Sequence, residues 1–159
     1  MRTLAFVLVV FTGITASGEK RTDEVTAVEY RIDRPLEEVS DLRIDKNGKT
    51  TFKHTTPLDN CTAHWERRCW KEEESQSIID TDTVQTIMTS IITSKLLHHQ
   101  GNNDVFPGSA TVTITVEVGG KERKTVQLTE SMMHETPQLR AVHQQMEAII
   151  FRVARGTCL

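Results

Sequence analysis

Residues 110–118, Ala-Thr-Val-Thr-Ile-Thr-Val-Glu-Val, alternate apolar and polar without a break. Successive strand side chains point to opposite faces, so this run predicts a strand with one buried and one wet face. Its apolar face needs a sheet around it and a cover over it. Gly119-Gly120 turns the chain, and Lys121 to Leu128 returns. Val126 and Leu128 reach the core face only if the loop has an odd length, because a one-residue slip inverts every side chain.

The rest of the chain can supply that sheet and cover. Val28 to Ile32 alternates and reads as a first strand that ends at Pro35. Residues 40–44 and 50–54 flank Asn47-Gly48, a hairpin signal. A two-residue loop would put Leu42 and Phe52 on opposite faces. A three-residue loop, 46–48, pairs them on one face and places Gly48 in the left-handed position of a G1 bulge. A short strand is expected near 69–77, with Glu72-Glu73-Glu74 as a solvated edge. Asp82-Thr83-Val84-Gln85 resembles a capping box, and Val84, Ile87, Met88, Ile91, Ile92 and Leu96 recur at helical spacing. A helix over about 82–99 follows. Thr136-Pro137 starts a second helix, with Leu139, Val142, Met146, Ile149, Ile150 and Val153 on one face and Gly156 as its stop. The expected class is α+β: an antiparallel sheet of about five strands with two helices packed on one face. Hairpin followed by helix occurs twice, although the two units match poorly in sequence.

Length and charge narrow the partners. The chain has 159 residues and a formal net charge of −3. One domain is expected. Mild acidity speaks against nucleic acid and against a polybasic membrane surface. Residues 1–18 carry Arg2, an apolar run from Leu4 to Phe11, and small residues ending Ala16-Ser17-Gly18. That order predicts a signal peptide cut after Gly18, and the run is far short of the ~20 residues of a membrane span. The chain then divides into a signal peptide (1–18), an N-terminal segment holding the first strand (19–38) and one α+β domain (39–156). The expected location is extracytoplasmic, in a periplasm or outside the cell.

Export makes a disulfide plausible. Cys61, Cys69 and Cys158 allow three pairings, each leaving one thiol over. Closing Cys61–Cys69 gives ~2.5 kcal/mol in the chain-entropy model, and a bridge to Cys158 ~4.7 kcal/mol. Geometry decides between them. Cys61–Cys69 is favoured because the stretch between reads as a loop. Asn60-Cys61-Thr62 also matches a glycosylation acceptor, relevant only in a eukaryotic secretory pathway.

This layout resembles a group of small exported bacterial domains of unknown function. They share a signal peptide, a hairpin with an Asn/Asp-Gly turn, a helix, a second hairpin and a Pro-started C-terminal helix. The resemblance covers about residues 39–155 and rests on order and turn chemistry. It implies no activity and transfers no site residue.

Motifs for chemistry are sparse. His54, His64, His98, His99, His134 and His143 form no H-x-x-x-H, and there is no C-x-x-C. His98 and His99 read as helix-end residues, and His143 as a half-buried packing residue beside the apolar stripe. Asp45-Lys46-Asn47-Gly48 has the turn chemistry of a calcium loop, but Arg43 and His54 stand where acids are needed. No nucleophile elbow, Walker loop or dinucleotide fingerprint occurs. Lys121, Arg123 and Lys124 make a small basic tip, the kind that protects a sheet edge. Loop 57–71 holds Trp65, Arg67, Arg68 and Trp70, residue types enriched in binding hot spots. These four are the candidate binding loop. The expected function is an exported, non-enzymatic binding module for another extracytoplasmic protein, with no cofactor, catalytic residue or metal site assigned. The competing reading is a small exported enzyme or metal protein whose site assembles from scattered His, Asp and Cys. Two of His54, His64, His134 and His143 meeting a carboxylate in a cleft would favour that second reading.

Overall fold

The computed structural model describes residues 25–35, 37–61, 66, 69–96, 108–120 and 122–155. The expected signal peptide 1–18, the expected helix stop Gly156 and Cys158 lie outside them. The alternating run forms β5 (Thr111–Val118), and the returning chain forms β6 (Glu122–Thr129). Val112 faces Leu128 and Ile114 faces Val126, the register an odd loop requires. The first strand is β1 (Val25–Arg34), and the Asn-Gly hairpin joins β2 (Glu38–Asp45) to β3 (Lys49–Pro57). Leu42 lies opposite Phe52, as the three-residue loop dictates. Gly48 takes φ +83° there, a left-handed value that favours glycine. Asp45 Oδ1 holds the turn by accepting the N–H groups of Asn47 (2.8 Å) and Lys49 (3.0 Å).

The segment near 69–77 is strand β4 (Trp70–Ile78), which brings the sheet to six strands rather than about five. The order is β4-β3-β2-β1-β5-β6, all neighbours antiparallel. β1 therefore lies between the two hairpins. One face of the sheet is apolar: Val28, Tyr30, Ile32, Leu42, Ile44, Phe52, Val112, Ile114, Val116 and Leu128 are all buried. Helices α1 (Thr81–Thr93) and α2 (Pro137–Ala154) cover that face and share its core. A short 3-10 turn, Met132–His134, links β6 to α2.

Helix α1 starts and stops elsewhere than expected. Asp80, not Asp82, is the cap: its Oδ1 accepts the Thr83 N–H at 2.8 Å and its Oδ2 accepts the Thr83 hydroxyl at 2.6 Å. Asp-Thr occurs twice in Asp80-Thr81-Asp82-Thr83, and apolar neighbours choose between them. With Asp80 as cap, Ile79 and Val84 occupy the two positions of a hydrophobic staple, and both are buried. Asp82 then sits in the first turn, where its charge complements the helix dipole. The helix ends at Thr93 rather than near 99. Thr93 and Ser94 hydroxyls donate back to the Thr89 and Ile91 carbonyls at 2.8 Å, a competition that loosens the last turn. Lys95 then takes φ +55°, which no helix continues through. Leu96 still reaches the core, delivered by this reversal instead of by helical period. Helix α2 begins as expected, with Thr136 Oγ1 accepting the Leu139 N–H and Pro137 in its first turn.

Candidate functional site

The β3–β4 connection is closed at its base. Leu58 N–H donates to the Cys69 carbonyl at 2.7 Å, and Cys61 N–H to the Leu58 carbonyl at 3.1 Å. Cys61 and Cys69 are joined at disulfide distance, with Cα atoms 5.5 Å apart, an ordinary span for a bridge. Of the three pairings the sequence left open, the structure selects this one. Of the candidate binding loop, Trp65, Arg67 and Arg68 lie outside the described residues. Trp70 is not a loop residue; it opens β4, paired with Pro57.

Strand alternation places Trp70, half-buried, on the face turned away from the helices. There it borders a depression of about 290 Å³ together with Arg31, Val39, Asp41, Lys53, Thr55 and Glu72. The depression belongs to a charged surface that spans the sheet. Arg31 bonds Asp41 at 2.9 Å, and Lys53 lies 3.5 Å from Glu74. Arg43 pairs with Glu29 and, at 2.9 Å, with Glu117; Arg123 reaches the same two carboxylates. Exposed pairs of this kind are each worth under ~1 kcal/mol, so their effect is to order the side chains rather than to hold the fold. Glu72, Glu73 and Glu74 are exposed on β4, which is the sheet edge. Arg123 of the expected basic tip is committed to Glu29 and Glu117, while Lys121 lies outside the described residues.

A second polar constellation lies where β1, β6 and α2 meet. His143, on α2, is 1% exposed rather than half-buried. Its Nδ1 shares a hydrogen bond with the Tyr30 hydroxyl, itself fully buried on β1. Its Nε2 faces Glu147 Oε2 at 3.6 Å and Glu130 Oε1 at 3.8 Å, beyond hydrogen-bond reach. Arg34 clamps Glu130 with two bonds, Nη2 to Oε1 at 2.5 Å and Nε to Oε2 at 3.2 Å. The same guanidinium reaches Glu147 at 3.3 Å and pairs with Glu38. Glu38 in turn bonds His54 Nε2 at 3.1 Å. His134 stacks edge-on against His143, ring centroids 5.0 Å apart.

Electrostatics follows from this geometry. Burial pushes the Tyr30 hydroxyl far up, and the Glu147 and Glu130 charges add to it. Burial pushes the His143 imidazole down, against the pull of Glu147 and Glu130. The bond from Arg34 holds the Glu130 carboxyl below the usual carboxylate range. The cluster thus sets an imidazole whose charged form is disfavoured by burial against the Glu130 and Glu147 carboxyl groups.

The sequence carried one signal for this cluster: His143 and Glu147 are four apart and share a helix face. A search for H-x-x-x-H passes over it. Tyr30 and Glu130 are distant in the chain and give no signal. Two of the six histidines, His54 and His143, meet carboxylates, and His134 lies against the His143 ring. His64, His98 and His99 lie outside the described residues. Among the described residues, no helix is long and apolar enough to cross a membrane. No protein-family model matches the chain, and no curated protein matches it.

Proposed function

We propose that the protein is an exported, non-enzymatic interaction module that docks another extracytoplasmic protein on the open face of its sheet, at the β3–β4 corner. The carrying observation is Trp70, set on that face beside Arg31, Lys53, Asp41 and Glu72. An aromatic anchor ringed by ordered charges of both signs is the arrangement hot spots favour. The Cys61–Cys69 bridge supports the reading, because it restrains the adjoining loop before any partner arrives and lowers the entropy cost of binding. Export rests on the order of charge, apolar run and small residues in 1–18, and on the resemblance to small exported bacterial domains. The partner surface this corner fits carries both charge signs around one apolar group.

The test is co-purification of the full chain from the extracytoplasmic fraction of its native host, followed by the same capture with variants. Trp70→Ala and Lys53→Glu should each cut recovery of a specific partner at least tenfold. Gln144→Ala, exposed on α2 at the opposite side, should leave it unchanged. A partner kept by both sheet variants, or lost equally with Gln144→Ala, overturns the proposal.

A further inference from the structure

We propose that His143, Glu147 and Glu130 form a transition-metal site of the zinc type. One ligand atom from each residue lies within 4.8 Å of the other two. The His143 Nε2 distances to the two carboxylates, 3.6 and 3.8 Å, are too long for hydrogen bonds. They are close to the edge of a ligand tetrahedron, about 3.3 Å for metal–ligand bonds of about 2.0 Å. A shift of a few tenths of an ångström closes the two His143 edges; the edge between the carboxylates, up to 4.8 Å, needs a larger movement, and Glu147, whose side chain is 43% exposed, has the freedom to make it.

The surroundings fit an ion as well. A metal-bound histidine commonly uses its other ring nitrogen to bond a fixed group that sets its orientation, and Tyr30 does this for Nδ1. With an ion on Nε2, the Nδ1 proton would be donated to the Tyr30 oxygen. Charge points the same way. Arg34 is one cation among three carboxylates, Glu38, Glu130 and Glu147, which leaves a local charge of −2 that a divalent ion would neutralise. Arg34 and the ion compete for Glu130. Glu38 offers the guanidinium a second partner, so Arg34 can yield without being stranded. One imidazole and two carboxylates suit zinc better than calcium or magnesium, which prefer all-oxygen shells. Water would complete the coordination.

The experiment uses the full chain and zinc itself, with calcium and magnesium as comparison ions. Equilibrium dialysis should find one zinc per chain, and zinc should raise the melting temperature where calcium and magnesium do not. Glu147→Gln should weaken zinc binding at least tenfold. Arg34→Gln should tighten it, because the competing cation is gone. His98→Ala with His99→Ala should leave it unchanged. Should Glu147→Gln fail to fold, X-ray absorption of the zinc-loaded parent protein answers the same question. Imidazole nitrogen with carboxylate oxygen is the expected shell. A thiolate sulfur in the shell, an absence of imidazole, or zinc binding undisturbed in Glu147→Gln overturns the site.

Discussion

Replacing Gly48 by alanine separates two effects that the first hairpin combines. Gly48 sits at φ +83°, where a side chain costs about 1–2 kcal/mol on conformation alone. A Cβ there would also stand 2.1 Å from the Ile79 carbonyl oxygen, far inside the 3.4 Å at which ordinary contact begins. The obstacle is backbone, so no side chain can swing aside. Relief requires Gly48 and Ile79 to part, which breaks the 2.9 Å bond from the Ile79 N–H to the Gly48 carbonyl. An orphaned buried donor costs about 1–3 kcal/mol. Gly48→Ala should therefore lose about 2–5 kcal/mol, a large share of the stability of a domain this size. Gly120→Ala is the control. It has φ +71° but nothing within 4 Å of its Cβ, so only the conformational cost, about 1–2 kcal/mol, applies. Urea unfolding followed by tryptophan fluorescence gives both values. Equal losses in the two variants would refute the claim that Gly48 is fixed by the approach of Ile79.

Two further outcomes are expected. Asp80→Ala should destabilise by about 1 kcal/mol through loss of the cap, whereas Asp82→Ala should cost a few tenths, as urea midpoints would show. The Arg43 bond holds the Glu117 carboxyl below its ordinary range, so the pair's contribution is present at neutral pH and fades as pH falls through the depressed value. Glu29, Arg43 and Arg123 face Glu117 from β1, β2 and β6. The stability gap between the parent and Arg43→Gln, under about 1 kcal/mol because solvent screens the pair, should be constant from pH 6 to 8 and shrink as pH falls below the ordinary glutamate range. A gap that widens in acid would reverse the assigned sign.

What the sequence revealed follows the range of each interaction. β5, the β2–β3 register and the start of α2 are set by neighbours within a few residues, so alternation, Asn-Gly and Thr-Pro were enough. The end of α1 was not legible, because the apolar stripe runs on through Leu96 while the backbone turns at Lys95. Two equivalent Asp-Thr pairs hid the cap until Ile79 was known to be buried. The environment of His143 was invisible for a different reason: its partner Tyr30 lies 113 residues away, and only the sheet order brings them together. Trp70 fell where the expected loop 57–71 and the expected strand near 69–77 overlap, and its pairing with Pro57 assigns it to the strand.

The central place of β1 has a consequence for the timing of synthesis. β1 is made early, yet its second neighbour, β5, begins at residue 111. At about 5–20 residues per second, the ribosome needs roughly 4–15 s to travel from one to the other. During that interval β1 can pair with β2 on one side only, and its other edge, lined by Val28, Tyr30 and Ile32, has no native neighbour. A chain that must wait for its own distant half is open to holding factors for that whole time.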